Sequence, residues 1–168
     1  MGARVRPRLA ASAGYRLHRL LASNAVFRGF ARWVERRPRA YSWFAEGERV
    51  AKEALFGCRM CGQCALPVTG YTCPMTCPKR LRNGPCGGVS PAGMCEVEPE
   101  LRCVWVVAFE RAEAAGRRAD LDRLHRPVDH RQRGRSSWVN YWRGRDAHLW
   151  SEPAATRPPL GIGVGDGR

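Results

Sequence analysis

The stretch CRMCGQCALPVTGYTCPMTCPKRLRNGPCGGVSPAGMCEVEPELRC, residues 58–103, holds all eight cysteines of the chain. Its larger apolar residues are few (Leu66, Val68, Leu81, Val89 and Val97), too few to close a core. Segments this small fold around a metal, a cluster or disulfides. Glycines and prolines punctuate it from Gly62 through Pro67, Gly70, Pro74, Pro78 and Gly84 to Pro99, so turns and loops are expected rather than long elements. The expected fold is a small, irregular, cysteine-rich α+loop domain organised around metal or cluster sites, flanked by N-terminal and C-terminal helices.

The cysteines are spaced Cys58-x2-Cys61-x2-Cys64-x8-Cys73-x3-Cys77-x8-Cys86-x8-Cys95-x7-Cys103. Three cysteines two residues apart let one loop offer several thiolates to a cubic cluster, as in bacterial ferredoxins, whose run ends in Cys-Pro. Cys73-Pro74 and Cys77-Pro78 both carry that proline, though later in the chain. Glycines beside the cysteines (Gly62, Gly87, Gly88) permit close backbone approach and N–H bonds to sulfur. All eight cysteines are therefore candidate ligands, enough for two four-thiolate sites: two [4Fe–4S] clusters or, as the alternative, zinc. A zinc site built from two knuckles would pair Cys58/Cys61 with Cys73/Cys77, leaving the widely spaced Cys86, Cys95 and Cys103 for a second ion. No histidine lies inside the block; His18, His125, His130 and His148 are outside it. Sequence order leaves open which four cysteines share a site.

Disulfides would suit an even cysteine count, but they need an oxidising compartment. Leu9–Gly14 is too short and too weakly apolar for the core of an export signal. No run of apolar residues is long enough for a membrane span. The absence of any acidic residue before Glu35 suits a mitochondrial transit peptide as well as a basic amphipathic helix. A reduced, cytoplasmic setting is expected.

The net charge is +14, of which residues 1–57 carry +8, residues 58–103 carry +2 and the rest +4. That balance suits an acidic partner, a nucleic acid or a membrane surface. Because the basic residues lie mostly outside the cysteine block, a zinc-stabilised nucleic-acid-binding module is the weaker reading.

Helical spacing predicts one helix over residues 15–37 (Leu17, Leu20, Leu21, Phe27, Phe30, Ala31, Val34), ended by Pro38. A second helix is expected over Ala40–Phe56, with Trp43, Phe44, Val50, Ala51 and Leu55 as its apolar side and Gly57 as its stop. A third is expected over Glu100–Arg118, placing Cys103 in its first turn, where the helix dipole favours a thiolate. The aromatic motif Ser136-Ser137-Trp138-Val139-Asn140-Tyr141-Trp142 reads as a docking segment. The organisation expected is a basic helical region over 1–56, a cysteine-rich domain over 57–118, a basic aromatic docking segment over 119–150 and a disordered tail over 151–168. Lys79 and Arg82 read either as charges that tune a cluster or as solvated loop residues. Asn83 reads as a turn-closing side chain.

The segment Cys58-x-x-Cys61-Gly62-Gln63-Cys64-x-Leu66 is followed by Cys73-Pro74-Met75-x-Cys77-Pro78-Lys79-x-Leu81-Arg82-Asn83-Gly84-Pro85-Cys86-Gly87-Gly88, then by Gly93-x-Cys95-Glu96-Val97 and Cys103-Val104-Trp105. Together they resemble the C-terminal domain of methylenetetrahydrofolate reductase of the two-subunit bacterial type. There the domain forms a small accessory subunit beside a flavin-bearing barrel. The likeness runs from about Leu55 to Arg111, with a weaker echo at Ser136–Asn140. It implies an iron–sulfur (or zinc) module that partners a flavin-bearing methylenetetrahydrofolate reductase-type subunit, with clusters passing electrons toward the flavin. Nothing in the chain resembles the flavin- and folate-binding barrel, so no catalytic residue is expected and the chain should not reduce the folate alone.

Overall fold

In the computed structural model residues 7–22 and 25–151 are described, so the expected tail lies outside them apart from Ser151. Among the described residues there are five α-helices joined by short 3₁₀ turns, and no strand beyond two isolated bridges, Met94–Arg102 and His125–Trp150. No described helix is long and apolar enough to cross a membrane.

The single helix expected over 15–37 is instead two, α1 (Ala11–Ala22) and α2 (Ala25–Glu35). Residues 23 and 24 between them lie outside the described residues. Helix α3 (Pro38–Phe56) starts earlier than expected because Pro38 occupies its first turn, where a missing N–H costs nothing. Its end is as expected: Gly57 is left-handed (φ 66°), its N–H reaches Glu53 O at 2.9 Å, and Cys58 N–H reaches Lys52 O at 3.3 Å. Helix α4 (Val104–Ala114) begins after Cys103 rather than at Glu100. The preceding residues are committed elsewhere: Cys95 N–H donates to Leu101 O at 2.8 Å, and Met94 bridges to Arg102. Helix α5 (Ser137–Trp142) is capped by Ser136, whose Oγ accepts from Val139 N–H.

Three apolar cores hold these elements. Ala31 and Val34 of α2 pack with Val139 and Trp142 of α5, and Phe27 stacks on Trp142 at 4.9 Å. Trp142 Nε1 also donates to Leu21 O at 3.0 Å. The second core joins Phe56, Leu66, Tyr71 and Cys73, with Leu9 and Tyr15 packed against it. The third joins Cys103, Trp105 and Ala108. Burial of one such large side chain contributes about 1.5–3 kcal/mol. The motif around Trp138, read from sequence as a docking segment, is thus largely internal: Ser136, Ser137, Val139, Asn140 and Trp142 are buried in this chain's own interior.

Helix α3 departs from expectation in the face it buries. Its buried residues are Ala45, Glu48, Lys52 and Phe56, whereas Trp43 is 83% and Val50 54% exposed. Two charges can occupy the buried stripe because each finds partners there. Lys52 Nζ donates to Glu48 Oε1 at 2.7 Å and to Ser137 Oγ at 2.5 Å, while Glu48 accepts from Ser136 Oγ at 2.5 Å and Ser137 Oγ at 2.7 Å. This network joins α3 to α5 and ends beside a cysteine.

Candidate metal and cluster sites

All eight cysteines are free thiols. They fall into two groups of four, each lining its own small cleft. The first cleft is lined by Cys58, Cys61, Cys64 and Cys73, the second by Cys77, Cys86, Cys95 and Cys103. The free space in each is small, about 10 Å³ in the first and about 20 Å³ in the second. The clefts are linked covalently through the short turn Pro74–Thr76, which separates Cys73 from Cys77. Among the described residues no three His, Cys, Asp or Glu side chains stand close enough together to hold one ion as they are placed.

The first group is built by tight backbone. Met60, between Cys58 and Cys61, is left-handed (φ 43°), as are Tyr71 and Arg80; these non-glycine outliers all fall within the cysteine block. Such conformations persist only where the surroundings enforce them. Met60 N–H points to Cys58 Sγ at 3.4 Å. The Cys58 thiol donates toward Cys73 and is itself pushed far up by that bond and by burial. Cys73 is correspondingly lowered, first by the Cys58 thiol and then, against burial, by the N–H groups of Arg59 and Met75. Burial raises Cys64, and the Lys52 ammonium opposes that shift.

Two cations reach into this group. Arg82, buried, donates through Nη1 to Cys61 Sγ at 3.3 Å and through Nη2 to Gln63 O at 2.6 Å. Lys52 lies 3.9 Å from Cys64 Sγ. Burial alone would lower the Lys52 ammonium, but the Cys64 sulfur and the Glu48 carboxylate hold it above its ordinary value. The ambiguity over Arg82 is therefore resolved toward the sulfur, because a solvated loop arginine would not be buried against Cys61. Lys79 is placed differently: exposed, paired with Glu96, and near Cys86 and Cys95. Glu96 also accepts from the Cys86 thiol at 3.3 Å.

His125 closes the back of the first site. Its Nδ1 lies 3.2 Å from Arg82 Nη2, and its ring packs 4.0 Å from Trp150. Burial and the Arg82 charge push its pKa down to about 3, so it is neutral. Asn83 does more than close a turn: its Nδ2 donates to His125 O at 2.9 Å and its Oδ1 accepts from His125 N–H at 2.7 Å. Asn83→Ala removes both bonds and should cost about 2 kcal/mol in urea unfolding. A cost under about 0.5 kcal/mol would show that the pairing is replaced by water.

The second group spans both extremes of burial. Cys86 is exposed, whereas Cys103 is buried as the N-cap of α4, its backbone tied by Cys103 N–H to Gly93 O at 2.9 Å. Trp105 roofs this cleft and donates Nε1–H to Leu81 O at 3.2 Å. The Arg111 end of α4 is committed inward: its guanidinium donates to Gly70 O at 2.8 Å and Leu9 O at 2.5 Å.

Sequence reading missed Glu48, Lys52, Ser137 and His125. The only signal was Glu48 and Lys52 at i,i+4, a spacing that ordinarily marks a solvated pair. In the first group, thiols, a backbone N–H group and two cations that offset thiolate charge stand together, surroundings of the kind a four-thiolate group uses.

A family model described as methylene-tetrahydrofolate reductase C terminal matches residues 38–131. That span includes α3, every cysteine, Arg82 and His125, and stops short of Ser136–Asn140. No curated protein matches the chain, and neither does any solved structure.

Proposed function

Because the chain belongs to the methylenetetrahydrofolate reductase C-terminal family, matched over residues 38–131, we propose that it is an accessory electron-transfer subunit of a folate-linked one-carbon enzyme. The observation that carries the reading is the division of the eight cysteines into two adjacent fours. In this reading Cys58, Cys61, Cys64 and Cys73 hold one [4Fe–4S] cluster, and Cys77, Cys86, Cys95 and Cys103 a second. When bound, such a group supplies one-electron chemistry. The same four-cysteine groups could hold zinc instead, and iron, zinc and sulfide content separates the two.

The chain's own residues set the properties of each site. Arg82 and Lys52 place positive charge against Cys61 and Cys64, which favours thiolate ligands and an added electron. Cys86 is the exposed member of the second group, whereas none of the first four cysteines is exposed. Free thiols suit a reducing compartment. The partner in this reading is a flavin-bearing methylenetetrahydrofolate reductase-type subunit, which would supply the folate site.

The test is to reduce the anaerobically purified chain with dithionite, remove the reductant, and mix it with such a flavoprotein in a stopped-flow cell. Two one-electron sites should bleach about one flavin per chain. A complex that forms while its flavin stays oxidised would reduce the chain's role to a structural one.

A further inference from the structure

A second feature of the first site is that Cys64 and Lys52 also line an apolar groove of about 1000 Å³, walled by α1, α2, α3 and α5. Among its lining residues Trp43 is 83%, Val26 72% and Leu17 45% exposed. Exposed apolar side chains gathered around one groove mark an interaction site. The groove is open to solvent and lined by aromatic rings from several helices, a surface of the kind that receives an amphipathic helix.

Charge identifies the occupant. Between Pro7 and Val34 there is no Asp or Glu, whereas Arg8, Arg16, Arg19, Arg28 and Arg32 all fall there. The lining itself is charge-balanced, with Lys52 and Arg123 against Glu48 and Asp146, so the excess positive charge around the groove comes from those arginines. The partner surface must therefore be acidic around an apolar insert. The chain's own residues 152–168 leave from Ser151, next to Trp150 of the groove, but carry equal numbers of acidic and basic residues and lack that complementarity.

We propose that the α1–α3 groove is the docking site for an acidic, apolar-faced helix of a protein partner, which would thereby come to rest against the Cys64 side of the first four-cysteine site. The proposal rests on the reading of the chain as an accessory subunit and adds to it where the partner sits. Walls α1, α2 and α5 lie outside the matched residues 38–131, so the groove is built largely from parts of the chain the family match does not span.

The experiment measures binding of the full-length, cluster-loaded chain to a purified methylenetetrahydrofolate reductase-type flavoprotein by calorimetry at two salt concentrations. Wild type is compared with a Val26→Glu/Trp43→Glu variant and with Phe109→Ser, on α4 away from the groove. Anionic vesicles of phosphatidylglycerol are a second probe. Support is wild-type binding that weakens with salt, falls on the order of thirtyfold or more in the groove variant, and is unchanged in Phe109→Ser. Because both altered side chains are exposed, the groove variant should fold, as its cluster absorbance and helical circular dichroism will show. Equal binding by wild type and groove variant overturns the docking site and leaves the accessory role standing. No binding by either overturns both. Vesicle binding that is lost in the groove variant, without protein binding, replaces the protein partner with a membrane surface and overturns the proposal.

Discussion

Glu48→Ala should destabilise the chain by about 3–5 kcal/mol, the largest loss expected from any single exchange outside the cysteines. Glu48 and Lys52 are 8% and 9% exposed, and the carboxylate neutralises an ammonium whose other neighbours are Ser137, the Cys64 sulfur and the Trp138 ring. Burial alone would raise the Glu48 carboxyl, and Lys52 with Ser136 and Ser137 more than reverses that. Removing the carboxylate leaves a buried cation unpaired and strips the acceptor from two serine hydroxyls at the start of α5. Replacing both charges together, as Glu48→Met/Lys52→Met, should restore part of the loss, because the penalty is the orphaned charge rather than the missing pair. Urea unfolding followed by tryptophan fluorescence measures both variants. A cost below about 1 kcal/mol for Glu48→Ala would mean that water reaches Lys52 and the network is not structural.

Gly62→Ala should be nearly as severe and should act on the first site specifically. Gly62 is left-handed (φ 75°), and a Cβ built there falls 2.1 Å from the backbone oxygen of Gln132. The conformation itself costs an L-residue about 1–2 kcal/mol, and relieving the overlap adds about 1–3 kcal/mol. The obstacle is backbone rather than a flexible side chain, and it is pinned: Gly134 N–H donates to Met60 O at 2.8 Å and Asn140 Nδ2 to Gly62 O at 2.9 Å. The variant should lose metal from the Cys58–Cys73 group while the Cys77–Cys103 group keeps its share. Wild-type stability with full metal content would contradict the described packing of residues 132–134 against the cysteine loop.

These two positions also show where sequence reasoning reached and where it stopped. The cysteine block was legible as turn-rich and strandless, because proline and glycine at such density rule out long elements. The close of α3 was legible from Gly57, since a left-handed cap is a local requirement. How the eight sulfurs divide was not, because the loop bends through Met60, Tyr71 and Arg80, non-glycine residues in left-handed conformations that no turn signal marks. The role of Glu48 and Lys52 was hidden for a different reason. An i,i+4 ion pair looks the same in water or buried, and only the distant Ser136 and Ser137 make burial tolerable. The aromatic motif around Trp138 was only partly legible, since Ser136, Val139, Asn140 and Trp142 serve this chain's own core while Trp138 and Tyr141 line the open groove. Asn83 reaches His125 across a separation that local turn rules do not cover.

The most direct test of the account is the iron, zinc and acid-labile sulfide content of anaerobically purified protein, measured for wild type and for Cys61→Ala/Cys64→Ala. Two [4Fe–4S] sites predict about eight iron and eight sulfide per wild-type chain and about four of each in the variant, with the second group intact. Zinc without sulfide in the wild-type chain, or loss of all iron from the variant, would contradict two independent clusters divided between Cys58–Cys73 and Cys77–Cys103.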